Sequence, residues 1–213
     1  QMACDTDEES IFNIALGAGG ENGSAITDQH RICIDNITLE KTSAPEIDVP
    51  VGKNLITNSE FEMSEDGSLA GWENAVTAPG DATFEAGDGK ITYSVENVGE
   101  ADWNIQLKQM GLSLEQGESY TLKCTLVSDV DRVVKVAVMT PSAGYAWHGG
   151  EDVVLTAGEA KDVTLTITPK EEVFTDGITV DTGAGLFFSM GYVEGYTLGA
   201  HTVSISNVSF VKN

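Results

Sequence analysis

The sequence predicts an all-β fold: a two-sheet antiparallel β-sandwich of the jelly-roll kind. Three observations predict it. Apolar residues recur at every second position in many short runs, helical periodicity is nearly absent, and Gly, Asp, Asn and Pro punctuate the runs at close spacing. The 23 glycines fit a chain with many turns.

Taken in order, the alternating runs are Lys90–Val95, Trp103–Lys108, Ser119–Val127, Val133–Met139, Asp162–Ile167, Leu186–Met190 and Thr202–Val211. Ala86-Gly87-Asp88-Gly89 and Glu115-Gln116-Gly117-Glu118 read as turns between them. Upstream, the polar stretch Thr42-Ser43-Ala44-Pro45-Glu46-Ile47-Asp48-Val49-Pro50 carries two prolines and marks a boundary. We read 1–45 as a short segment, 46–52 as a linker and 53–213 as the main sandwich. The short segment cannot hold a β core alone.

That segment repeats the end of the main body. His30-Arg31-Ile32-Cys33-Ile34-Asp35-Asn36-Ile37-Thr38-Leu39-Glu40-Lys41 parallels His201-Thr202-Val203-Ser204-Ile205-Ser206-Asn207-Val208-Ser209-Phe210-Val211-Lys212. Ahead of each lies a second matching pair, Ile11–Gly17 against Gly185–Gly191. Residues 1–45 are therefore expected to hold the last two strands of a preceding, similar module in a chain cut from a longer one. Those strands are expected to pair with the main sandwich or a neighbouring chain, since open strand edges seek partners.

Composition excludes several functions. The net charge is −23, from 34 acidic and 11 basic residues, which opposes binding to nucleic acid or an anionic membrane. It favours a neutral or cationic partner, or simple solubility. No apolar run is long enough to span a membrane as a helix. The three cysteines, Cys4, Cys33 and Cys124, are widely spaced and form no CxxC, so they imply neither a disulfide framework nor a zinc site. Cys33 and Cys124 sit in strand-like runs and read as small buried residues. No HExxH, GxSxG or phosphate-binding glycine loop occurs, and His30, His148 and His201 lie in no catalytic motif. His30 and His201 occupy equivalent strand starts and read as structural.

The residues that stand out are polar and aromatic. In Trp103-Asn104-Ile105-Gln106-Leu107-Lys108, period-2 alternation puts Ile105 and Leu107 on one face and Asn104, Gln106 and Lys108 on the other. Side-chain amides donate and accept toward hydroxyls, and an indole packs against the C–H face of a pyranose, so this strand suits sugar binding. Trp103 shares the parity of Ile105 and Leu107. A core position therefore competes with exposure, which a twist or bulge at the strand end would provide. Tyr145 and Trp147 lie in the glycine-flanked loop Ala143-Gly144-Tyr145-Ala146-Trp147-His148-Gly149-Gly150, which is too small to bury them well. Trp72, in a Gly-Trp step, reads as a core plug. Tyr192 and Tyr196 follow Leu186–Met190 in a second glycine-rich loop, where simple packing is the competing expectation.

These elements resemble a known family. Asn54-Leu55-Ile56-Thr57-Asn58-Ser59-Glu60-Phe61-Glu62, Gly71-Trp72, Asp88-Gly89-Lys90-Ile91, Trp103-Asn104-Ile105-Gln106-Leu107, Leu114–Leu122 and Ile205-Ser206-Asn207-Val208 are together similar to carbohydrate-binding modules of the family 4/16/22 β-sandwich group, most like family 4. The resemblance covers residues 54–212 and implies a jelly roll whose concave face binds a single β-linked polysaccharide chain: a β-1,4- or mixed-linkage glucan, or xylan. It implies stacking on Trp103, hydrogen bonding at Gln106, an aromatic platform near Tyr145 and Trp147, and a cleft position for Ser189. It further implies a non-catalytic, secreted module that targets an attached glycoside hydrolase. Family members also tend to hold a structural calcium. Its ligands map to the backbone of Glu60, the side chain of Glu62, the backbone of Lys90 and the position of Ser206, where the family carries an Asp. The competing expectations are a glycoside hydrolase or lyase on a jelly roll, and a structural or adhesion domain.

Overall fold

The computed structural model describes residues 47–175 and 177–213. The expected preceding-module strands in 1–45, with Cys4, Cys33 and His30, lie outside the described residues. Among the described residues, ten strands build two five-stranded antiparallel sheets. They are β1 (Glu73–Val76), β2 (Asp81–Gly87), β3 (Lys90–Asn97), β4 (Ile105–Glu115), β5 (Tyr120–Ser128), β6 (Arg132–Thr140), β7 (Ala146–Leu155), β8 (Lys161–Ile167), β9 (Val180–Ser189) and β10 (His201–Lys212). One sheet runs β1-β4-β9-β6-β7 and the other β2-β3-β10-β5-β8. The sandwich read from the sequence is the one observed. None of the described helices is long and apolar enough to cross a membrane.

Alternation decides which side chains meet. In β5, Tyr120, Leu122, Cys124 and Leu126 point inward and are buried; in β6, Val134, Val136 and Val138 do the same from the facing sheet. Tyr120 stacks on Phe210 of β10 with centroids 5.0 Å apart. Trp72 plugs the core as expected, between Phe61 (5.1 Å) and Phe188 (6.4 Å), and its indole N–H donates to the Asn58 carbonyl at 3.0 Å. Cys124 is buried too, and burial raises its thiol pKa to about 12.

Three strands escaped the sequence reading: β1, β2 and β7. β1 is short and only half buried, so it carries little apolar signal. β7 contains the stretch expected to be a flexible loop. Only Pro141–Tyr145 is non-strand there; Trp147, Gly149 and Gly150 are paired with β6, and His148 sits at the bulge between them. Gly150 is needed because a Cβ there would lie 2.6 Å from the Trp147 indole and 2.5 Å from the Val136 carbonyl. Residues 47–52 also differ from a free linker. Val49 is buried and Val51 bridges Lys212, because the apolar side chain of Val49 finds the core within reach.

Candidate functional site: a groove on the β1-β4-β9-β6-β7 sheet

The outward side of this sheet holds a groove of about 700 Å³. Its floor is set by strand parity. β4 contributes Gln106, Lys108 and Met110, β9 contributes Phe187 and Ser189, and β6 contributes Lys135 and Met139. Trp147 rises from β7, Tyr145 and Pro141 from the turn before it, and Asp102 and Trp103 from the short 3-10 turn Asp102–Asn104 that precedes β4. The floor is mostly apolar sheet crossed by a few polar groups. Gln106 Nε2 donates to Ser189 Oγ at 2.8 Å, and the two residues are direct cross-strand partners.

The aromatics are presented to solvent rather than packed: Trp103 is 54% exposed, Tyr145 62% and Trp147 41%. Trp103 resolves its parity conflict by leaving the strand. β4 starts at Ile105, and the 3-10 turn before it breaks the alternation, so the indole points to the groove instead of following Ile105 inward.

The same turn overturns the expectation for Asn104. Asn104 is 2% exposed and does not line the groove. Its Oδ1 accepts the backbone N–H groups of Glu100 (2.9 Å) and Ala101 (2.8 Å), and its Nδ2 donates to the Thr77 carbonyl at 3.0 Å. It is a fastener for the turn that carries Trp103, not a ligand for sugar. The physical reason is that the unpaired N–H groups at the start of a turn need acceptors, and a short amide supplies one.

Of the remaining expected site residues, Trp103, Gln106, Lys108, Tyr145, Trp147 and Ser189 are brought together in one groove. Asp102, Met110, Lys135, Met139, Pro141 and Phe187 join them without having been read from the sequence. Phe187 and Lys135 were legible in principle. Phe187 has the parity of Ser189, and Lys135 is the one cation in the run Val133–Met139.

The groove lysines are both ion-paired. Lys108 Nζ lies 2.8 Å from Glu73 of β1, and Lys135 pairs with Asp102. The hydrogen bond that Lys135 donates to Asp102 holds the Lys135 pKa above its ordinary value, against the opposing effect of burial. The groove thus offers hydrogen-bonding groups, aromatic faces and balanced charge.

His148 and His201 are buried and structural. His148 Nδ1 accepts the Lys170 N–H at 3.0 Å, which makes Nε2–H the donor to Thr140 Oγ1 at 2.8 Å; Thr140 in turn donates to Asp181. The proton order is the reverse of what a base acting on Thr140 requires.

The expected calcium ligands are Glu60, Glu62, Lys90 and Ser206. Lys90 and Ser206 are cross-strand partners, but the Glu60 carbonyl already accepts the Gly89 N–H at 3.0 Å. The side chains available are the exposed Glu60 and Glu62 and the Ser206 hydroxyl. Among the described residues no three acidic, His or Cys side chains converge. Calcium draws on six to eight oxygens, usually with several carboxylates. The side chains here supply two carboxylates and one hydroxyl, the serine standing where the family carries an acid.

A β-sandwich with an aromatic-rimmed groove across one sheet, its apolar floor crossed by a few polar groups, is the architecture of a carbohydrate-binding module. The family model described as "Carbohydrate binding domain" matches residues 53–182, and the chain belongs to that family. Among solved structures, the chain is similar to a CBM4 module at 19% identity and a TM-score of 0.58, covering 74% of this chain and 99% of that one. It is also similar to the N-terminal cellulose-binding domain of Cellulomonas fimi β-1,4-glucanase C, at 20% identity and a TM-score of 0.52, covering 78% and 98%. The second N-terminal cellulose-binding domain of that enzyme matches at 22% identity and a TM-score of 0.53, covering 75% and 94%. No curated protein matches the chain.

Proposed function

We propose that this module binds a single β-linked plant polysaccharide chain, a β-1,4- or mixed-linkage glucan or xylan, along the groove. The binding is non-catalytic and serves to target an attached, secreted glycoside hydrolase to its substrate. The observation that carries this reading is the placement of Trp103 and Trp147, both solvent-exposed, on the rim of a floor that holds the Gln106–Ser189 pair. Indole faces stack on the C–H faces of successive sugar rings, and the amide and hydroxyl meet equatorial hydroxyls. A groove whose lysines are ion-paired favours a neutral chain over an anionic one.

Affinity electrophoresis against cellulose derivatives, barley β-glucan, xylan, mannan and laminarin tests the reading. Two of the similar structures are called cellulose-binding domains, which is why cellulose derivatives head the panel. Retardation by a β-1,4- or mixed-linkage glucan or by xylan is expected. Free migration in every gel would refute it. Release of reducing sugar from any of these polymers would instead favour the hydrolase reading.

A further inference from the structure

Arg132, at the start of β6, is fully buried, and among the described residues none of its hydrogen bonds goes to a carboxylate. A buried charge without an ionic partner is costly, so the position needs a reason. The guanidinium donates to the Val133 carbonyl at 3.2 Å, to Nε2 of His201, and to the carbonyls of Met190 and Gly191, the latter at 3.4 Å. His201 presents Nε2 as an acceptor because its Nδ1–H is engaged by the Gly199 carbonyl at 2.7 Å.

Residues 190–192 act as a rail with two edges. On one edge, the Met190 and Gly191 carbonyls face Arg132. On the other, three successive N–H groups face the turn that carries Trp103: Met190 donates to Ile105 O at 2.8 Å, Gly191 to Asp102 O at 2.9 Å and Tyr192 to Ala101 O at 3.1 Å. The approach is so close that a Cβ on Gly191 would lie 2.1 Å from the Ala101 carbonyl oxygen and 2.7 Å from that of Asp102. β6 grips the same turn a second time, through the Lys135–Asp102 ion pair.

We propose that Arg132 is a positioning residue for the Trp103 platform, acting through the Met190–Tyr192 rail to fix the height and tilt of the indole over the groove. This rests on the reading of Trp103 as a sugar-stacking residue. The proximal effect, the placement of Trp103, does not depend on that reading. Arginine suits the role because its planar fork reaches several acceptors at once, whereas the compact lysine ammonium cannot span His201 and both carbonyls.

The test uses the chain labelled with 5-fluorotryptophan, whose three tryptophans give three fluorine resonances, assigned with Trp103→Phe and Trp147→Phe. In Arg132→Lys the Trp103 resonance is expected to shift or broaden while those of Trp72 and Trp147 stay in place. Affinity for cellohexaose, xylohexaose or barley β-glucan, whichever the native chain binds, is expected to fall roughly tenfold, as for the loss of one charged hydrogen bond. Gly191→Ala displaces the turn from the other edge of the rail with the Arg132 side chain unsubstituted, and should move the same resonance; Arg132→Gln repeats the test of Arg132 itself if Arg132→Lys does not fold. An unmoved Trp103 resonance with only a lower melting temperature would overturn the proposal. If the native chain binds none of the three glycans yet the Trp103 resonance moves, the glycan reading fails and the positioning role stands.

Discussion

Gln106 Nε2 donates to Ser189 Oγ at 2.8 Å, and this bond leaves the Gln106 carbonyl oxygen as an acceptor on the groove floor. The pair joins β4 to β9 in the centre of the binding sheet. It therefore presents a pre-set acceptor beside a hydroxyl, with little side-chain freedom left to lose on binding. Gln106→Ala should weaken glycan binding by about 1 kcal/mol, the net worth of one neutral hydrogen bond. Calorimetric titration checks this, with unaltered melting expected.

The two indoles should matter more. Removing one stacking aromatic costs about 1–3 kcal/mol in other sequence-tolerant stacking sites, and the same range is expected for Trp103→Ala and Trp147→Ala. Stacking involves no net charge, so the native affinity should change little between low and high salt. A steep salt dependence would point to an anionic ligand held by Lys108 and Lys135 rather than to a neutral chain.

Asn104 separates stability from binding contacts. Its carboxamide makes three bonds to the backbone at 2.8–3.0 Å within a buried pocket. Asn104→Ala leaves two N–H groups without that acceptor and should lower stability by about 1–3 kcal/mol. Urea denaturation measures this. If Asn104→Ala instead left the denaturation midpoint in place and weakened binding alone, the side chain would belong to the ligand after all.

Two histidines make the fold sensitive to acid. Burial first of all lowers the pKa of His148, with Asp181 and Glu172 pulling upward and Lys170 downward. Burial likewise lowers that of His201, where the Gly199 bond and Asp129 pull upward and Arg132 downward. In both cases the unfolded ring, near 6.5, binds a proton that the native ring resists. Stability from these sites is therefore fully present above the unfolded value and is lost as the pH falls through it toward the lowered native values. Melting between pH 7.5 and 5 should fall less steeply, relative to the native chain, in His148→Gln and His201→Gln.

Removal of calcium should change little. Glu60, Glu62 and Ser206 offer two carboxylates and a hydroxyl, and the melting temperature is expected to be the same in EDTA as in millimolar calcium. A rise on adding calcium would show that backbone carbonyls complete a site that the side chains do not.

The sequence by itself determined the sandwich. Period-2 alternation marked seven of the ten strands, since burying one face of each strand leaves that imprint on composition. It also marked Gln106 and Lys108 as outward neighbours, while the glycine-flanked loop marked Tyr145 and Trp147 as exposed and the family resemblance alone supplied Ser189. What it could not decide was where alternation starts. A three-residue 3-10 turn, visible only once β4 is paired with β9 and the 190–192 rail, frees Trp103 from the parity of Ile105 and sends Asn104 inward. Long-range partners made that choice: the carbonyl of Thr77, which takes the Asn104 amide, the rail of Met190–Tyr192, and Arg132 behind it. The acceptors for those groups lie 27 to 90 or so residues away in the chain, where no local pattern records them. Alternation thus wrote the sheets, and tertiary hydrogen bonding set the aromatic platform on top of them.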